Sequence, residues 1–277
     1  MTGKTLPEFS DPPLHEVALS VQFEPLEKLV VPEIGLLWQH YGSRFSHVEQ
    51  HPTVDPVIER FGVKSRVAGV PKVQWMEVLP LPRIWFLNES KTELLQIQQD
   101  RFSRNWRKLS SSEHYPRYED HIRPKFIEDL KDFCSFLEAN KIGKVVPNQC
   151  EVTYVNHIRT CDIWKGHSEM AKVFTSWSAD YSSPDHCEVE DARFQIRHII
   201  KTDEGEPVGR LYIVAEPAYL GLEDEAIFSL SITARGRPIS QDIQGIEGFV
   251  DLGRECIVKA FANVTRPAMH KHWGRKN

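Results

Sequence analysis

The alternation of apolar and polar positions along this chain predicts most of its architecture. In HEVALSVQFE (15–24), Val17, Leu19, Val21 and Phe23 fall on one side, and Glu16, Ser20, Gln22 and Glu24 on the other. A period of two with one apolar side is the pattern of a half-buried strand. VPEIGLLWQHYG follows, with Pro32 at a helix start and Ile34, Leu37, Trp38 and Tyr41 at helical spacing. Residues 43–82 are less regular, and VIERFGV and VQWMEV within them read as short strands. RIWFLN and TELLQIQQDRF read as a hairpin around Glu89-Ser90-Lys91, with QIQQDRFSRNWRK as the last strand of the first half, running off the sheet. RPKFIEDLKDFCSFLEAN reads as an amphipathic helix closing that half.

The second half repeats the order. CEVTYVNHI is a strand, EMAKVFTSW a short helix, ARFQIRHIIK, GRLYIVAE and AIFSLSITARG three strands, and IQGIEGFVDLGRECIVKAFANV a long helix. EVALSVQF (16–23) aligns with EVTYVNHI (151–158), and FIEDLKDFCSFLEAN (126–140) with FVDLGRECIVKAFAN (249–263), without gaps. The expectation is an internal duplication, with chance similarity of two amphipathic helices as the alternative. Each half, 1–145 and 146–277, is then a β-α-β-β-β-α unit. Hairpin-joined strands are antiparallel and apolar-striped helices cover one sheet face. The predicted fold is α+β, a long curved antiparallel sheet with helices on one face. It resembles in topology the TATA-binding-protein or helix-grip class, which implies nothing about function.

This architecture sorts side chains. The face turned away from the helices carries Glu16, Ser20, Gln22, Gln96, Gln98, Asp100, Glu151, Thr153, His157, Arg193, Gln195, Arg197, Ser229, Ser231 and Thr233, rich in amides, hydroxyls and charges. Such residues are ordinary on the wet face of an antiparallel sheet; the sharper reading is a groove that recognises a ligand by hydrogen bonds. Gln22 and His157 occupy equivalent repeat positions. At the rim, Phe102 and Trp106 are interleaved with Arg101, Arg104, Arg107 and Lys108. Guanidiniums and rings together suit an acidic peptide or a single-stranded nucleic acid. The structural alternative packs Trp106 under the following loop and pairs the arginines with Glu113, Glu119 and Asp120. The ligand-binding candidates are therefore Gln22, Gln96, Gln98, Asp100, Arg101, Trp106, Arg107, Glu151, His157 and Arg197.

Composition narrows the function classes. The 277 residues carry a net charge of −5, which works against nucleic acid as a partner. The N-terminus has no signal-peptide core, no apolar run is long enough to cross a bilayer, and the five cysteines are scattered. These features point to a cytoplasmic chain without a membrane or a disulfide framework. Phosphate-loop, dinucleotide, nucleophile-elbow and zinc-helix motifs are absent, so neither a cofactor nor a metal is expected. His270 and His272 read as solvated residues near the terminus. RFQIRH (193–198) has an RxxxxH spacing but lies in a strand pattern that separates its ends. SPDHCEVED (183–191) has Glu190 where a nuclease core needs lysine. An acid–base cluster of His157 with Glu151, Asp100 and Arg197 is the one catalytic arrangement that the open face offers.

The blocks LPEFSDPPLHEVALSVQFEPL and LLQIQQDRFSRNWRK…YPRYE, with QCEVTYVNHI at the midpoint, together resemble a sporadically distributed family of bacterial proteins of unknown function. The resemblance implies a prokaryotic cytoplasmic setting and an accessory role such as defence, and no catalytic residue. The leading expectation is a non-enzymatic binding protein holding a protein partner or small ligand on the polar face. The exposed strand edges of a long sheet also suit a homodimer. A metal-independent hydrolase or nuclease around His157 is the alternative, and a nucleic-acid binder through Phe102–Lys108 the second.

Overall fold

The alternating segments pair as the pattern requires. In the computed structural model, which describes residues 6–62, 81–178, 183–221 and 224–277, the first half contains β1 (Leu14–Phe23), α1 (Val31–Tyr41), β2 (His47–His51), β3 (Arg83–Leu87), β4 (Glu93–Gln98), β5 (Arg101–Arg107) and α2 (Arg123–Ala139). The second contains β6 (Pro147–Arg159), α3 (Met170–Val173), β7 (Phe194–Lys201), β8 (Pro207–Leu220), β9 (Glu225–Gly236), α4 (Ile243–Val264) and α5 (Pro267–His272). The strands form one open, curved antiparallel sheet ordered β2-β3-β4-β5-β1-β6-β9-β8-β7. It runs unbroken across the boundary between the halves, because β1 and β6 pair at its centre with Ala18 opposite Thr153.

Helices cover one face only, and the apolar alternates lie beneath them. Val17, Leu19 and Val21 of β1 and Val152 of β6 have no exposed surface. Phe126, Leu130, Phe133 and Leu137 recur at helical spacing on α2, all fully buried. Phe133 stacks on Phe102 of β5 with ring centroids 5.1 Å apart. Each such side chain contributes about 1.5–3 kcal/mol when withdrawn from water. On the other half, Phe249 of α4 lies over Gly209 and Gly236, which face each other across β8 and β9. A Cβ on Gly236 would run into the Val208 carbonyl oxygen and sit 2.6 Å from the Phe249 ring, so the strands can approach the helix there only as glycine. The two helices are tied at their surface by Arg123, which reaches Asp251 at 2.8 Å and Glu247 at 2.7 Å. No helix among the described residues is long and apolar enough to cross a membrane.

Two expectations are corrected. QIQQDRFSRNWRK is a hairpin: β4 ends at Gln98, Gln99 and Asp100 turn, and β5 begins at Arg101. No glycine or Asn-Gly pair marks that turn, which is why the stretch reads as one strand. The described part of VIERFGV, residues 57–62, is not a strand; it crosses the polar face without a ladder of its own, and the described residues of this region form a strand earlier, at HVEQH. VQWMEV lies outside the described residues. Among the described residues the first half thus has four strands after its helix, against three in the second, and the architecture alone does not show a duplication.

Candidate functional site

The stretch that begins at β4 supplies both faces of the sheet. Phe102, Arg104 and Trp106 point to the helices, while Arg101, Ser103, Asn105 and Arg107 point away, opposite Gln22, Ser20, Ala18 and Glu16 of β1. Trp106 is buried against Tyr115 (5.7 Å between centroids), as packing under the following loop requires. The arginines do not pair with Glu113, Glu119 or Asp120. Arg104 is buried and bridges Glu93 and Asp129. Arg107 donates to the Lys91 carbonyl (2.8 Å) and lies over the Trp85 ring. With both rings buried beneath the helices, this segment offers no aromatic platform for stacking bases.

One end of the polar face is covered. After β2 the chain turns across the sheet in residues 52–62, which carry no helix or ladder and pass over β4, β1, β6 and β8 in turn. Side-chain amides hold this strap by its backbone. Gln98 of β4 accepts the Val54 N–H (2.9 Å) and donates to the Val54 carbonyl (3.0 Å). Gln22 of β1 accepts the Val57 N–H (2.9 Å), and Gln149 of β6 accepts the Glu59 N–H (3.3 Å). A glutamine amide offers a donor and an acceptor at a spacing that matches a peptide group. The strap lacks β-ladder partners, and these residues satisfy the amides that burial against the sheet takes from water.

The far end of the strap is anchored by charge. The Glu59 carboxylate is only 4% exposed. Arg210 of β8 pairs with it, the Tyr212 hydroxyl donates to it at 2.8 Å, and Arg235 of β9 approaches to 3.8 Å. Arg210 also donates to the Arg60 carbonyl and lies over the Phe61 ring. Guanidinium and hydroxyl donors converging on one buried carboxylate make a strong, orientation-specific contact.

The candidate residues therefore divide. Gln22, Gln98 and Arg101 meet at the strap; Arg101 donates to Gln22 (3.1 Å) and to the Asp55 carbonyl (3.4 Å). Asp100 accepts from Gln98 (2.6 Å) and supports it. Gln96 is held between Arg83 (3.0 Å) and Asn105 (2.8 Å). Glu151 pairs with Arg235 beside the strap. Arg107 lies on the same face beyond the strap, Trp106 on the opposite face, and Arg197 stands opposite Tyr212 with no ion pair among the described residues. Glu59, Gln149, Arg210, Tyr212 and Arg235 escape sequence reasoning as site residues; their contacts join positions up to 153 residues apart, so no spacing signals them.

His157 lies at the other end. The expected cluster with Glu151, Asp100 and Arg197 does not assemble. A bulge in β1, where Leu14 and Glu16 pair with adjacent residues of β6, re-aims His15, which stacks on His157 at 3.8 Å between centroids. Both rings border a cleft of about 790 Å³ with Lys108, Arg159, Glu225 and His272. Burial first, then His15 and Arg159, push the His157 pKa down to about 4. Burial also lowers His15, helped by Arg107, Arg159 and Lys108 and opposed by Glu16. An imidazole of such low basicity, with no hydrogen bond to a carboxylate among the described residues, is a poor general base near neutrality. His270 is buried rather than solvated, bonded to Thr265 (2.8 Å) and Arg275 (3.1 Å), and the described residues hold no metal-ligating cluster. Burial raises the Cys134, Cys150 and Cys256 thiols, so none of the three is poised as a nucleophile.

The histidine pair has a measurable consequence. Between roughly pH 6.5 and 4 the unfolded chain takes up a proton at His157 that the folded chain refuses, so stability falls as pH drops through that window. Tm should decrease from about pH 7 to about pH 5, and His157→Gln should remove part of that slope. An unchanged slope would place the acid sensitivity elsewhere.

A further cavity of about 480 Å³ lies on the helix side, between the N-terminal segment and α4. Its tyrosines are engaged with each other or with Asp251 (Tyr115 with Tyr154, 3.1 Å; Tyr118 with Asp251, 2.7 Å). No family model, curated protein or solved structure matches this chain.

Proposed function

We propose that this chain is a binding protein that holds an extended segment of a partner protein across its polar sheet face. One observation carries the reading: a peptide backbone already crosses that face, gripped by Gln98, Gln22 and Gln149. Side chains that satisfy main-chain groups recognise an extended chain largely irrespective of its sequence, as an exposed sheet edge does in strand addition. The partner is a different protein rather than a second copy joined edge to edge. The outer strands carry His47, Glu49 and His51 on β2 and Arg197, His198 and Lys201 on β7, and charged edges oppose such pairing. A cytoplasmic, bacterial accessory or defence role, implied by the sequence resemblance, belongs to the same proposal.

The test is a selection of displayed random peptides of about twelve residues, a length that spans such a face, on a chain whose strap is loosened by Val57→Pro. That change removes the N–H accepted by Gln22. The same chain with Gln22, Gln98 and Gln149 replaced by alanine serves as counter-target. Peptides that enrich on the first and not on the second support the reading. No enrichment, or enrichment indifferent to the glutamines, overturns it.

A further inference from the structure

The strap is more than a covering. It is a peptide of this chain lying where the proposed partner would lie, and its contacts fall into two kinds. The glutamines read backbone, whereas Arg210, Tyr212 and Arg235 read one side chain, that of Glu59. Without the strap, Arg210 loses its carboxylate, and Arg235 retains only Glu151. A second cationic position, beside Glu151 but not paired with it, makes no ion pair among the described residues even with the strap in place. There Arg101 reaches the Gln22 amide oxygen and the Asp55 carbonyl, and its Nε is buried without a hydrogen-bond partner. Arg83 is nearby, bonded to Gln96, and both burial and Arg101 depress its basicity. The covered end of the face is thus cationic in two places along the line of the strap, and the strap fills one of them.

We propose that the strap is an internal placeholder, and that the partner segment displacing it is an acidic extended peptide. It sets a glutamate in the Arg210–Arg235–Tyr212 cradle and a second carboxylate at Arg101, between the positions of Asp55 and Val57. This rests on the peptide-binding reading above and adds the charge pattern and the competition. The tether keeps the strap at an effective concentration near the millimolar range, so only a ligand with better-matched charges displaces it. The second carboxylate is the means, because the strap has the uncharged Pro56 at that place.

The experiment uses the full chain and a labelled synthetic peptide of residues 51–62, with and without Glu59→Gln. Binding is read by fluorescence anisotropy. The wild-type chain should bind the peptide at least tenfold more weakly than chains carrying Val57→Pro or Glu59→Gln, in which the strap is loosened. The second variant leaves the backbone unchanged and serves if Val57→Pro does not fold. On a loosened chain the Glu59→Gln peptide should bind at least tenfold more weakly than its parent. Arg210→Ala with Arg235→Ala should erase that preference, and a Pro56→Glu peptide should bind more tightly than the parent and lose that gain on Arg101→Ala. Equal binding of the parent and Glu59→Gln peptides, still dependent on the glutamines, would sink the acidic-peptide proposal and leave the binding function standing. Equal binding by loosened and wild-type chains would overturn the placeholder role. Failure of every peptide on every form would remove both.

Discussion

Asp129→Ala is expected to destabilise the chain by about 3–5 kcal/mol, among the largest losses from any single side chain. Asp129 is on the buried face of α2 with no exposed surface. Its two oxygens accept from Arg44, which follows α1, and from Arg104 of β5. Arg104 is itself 7% exposed at its side chain and cannot turn to water. Removing the carboxylate leaves Arg104 with Glu93 alone, and Glu93 is shared with His121. The cost is therefore mainly that of a guanidinium buried with half its partners gone, not of a lost surface pair. Asp129→Asn keeps the shape and one acceptor and should lose clearly less. Urea denaturation of the three proteins checks this, and a loss below about 1 kcal/mol for Asp129→Ala would mean that Arg104 finds water after all.

Phe249→Ala should cost about 3–5 kcal/mol for a different reason. The ring has no exposed surface and rests on Gly209 and Gly236, whose backbones form a floor. Cavities cost most where the surroundings cannot collapse into them, and a hydrogen-bonded pair of strands is a stiff wall. Phe249→Leu refills part of the space and should lose less than about half as much. Gly253, one turn further along α4, packs closely on the sheet: a Cβ there would lie 3.1 Å from Ala234 and 3.2 Å from Val152, so the helix has little freedom to slide and compensate. Thermal melts compared with Tyr219→Ala, whose side chain is 64% exposed, would separate a packing loss from a general effect of removing a ring.

Both residues act on the helix side, yet they bear on the polar side as well. Arg210 and Arg235 stand on the strands that α4 covers, and Gln98 and Arg101 flank the turn of the hairpin that Arg104 fastens to α2. The cradle and the glutamines keep their spacing because the sheet beneath them is clamped from behind. Partial losses of stability in α2 or α4 variants should accordingly weaken the strap before the chain unfolds. The faster exchange of the Val54, Val57 and Glu59 amides would report it.

The stripe of α4 can be read from the residues at its observed limits, Ile243–Val264, because a strong 3.6-residue period over many turns has no competing interpretation. The alternation in β1 and β6 sorts Val17 and Val152 from Gln22 and His157 correctly, since a period of two assigns faces without any knowledge of neighbours. Local pattern does not reveal that Gln99 and Asp100 turn, as neither is a residue that demands a turn. Nor does it show that VIERFG is a strap, because the same β-branched residues suit a ladder and a peptide lying on a sheet. Helical periodicity alone does not show that Asp129 is buried, because its partner Arg104 lies 25 residues away on another element. Helix, strand and the polarity of each sheet face are thus written largely in the order of residues, because those properties depend on near neighbours along the chain. What the polar face holds is a matter of folding alone. Gln98 meets Val54, Gln149 meets Glu59, and Arg210 meets Glu59 across 44, 90 and 151 residues, and it takes the assembled sheet to bring them together.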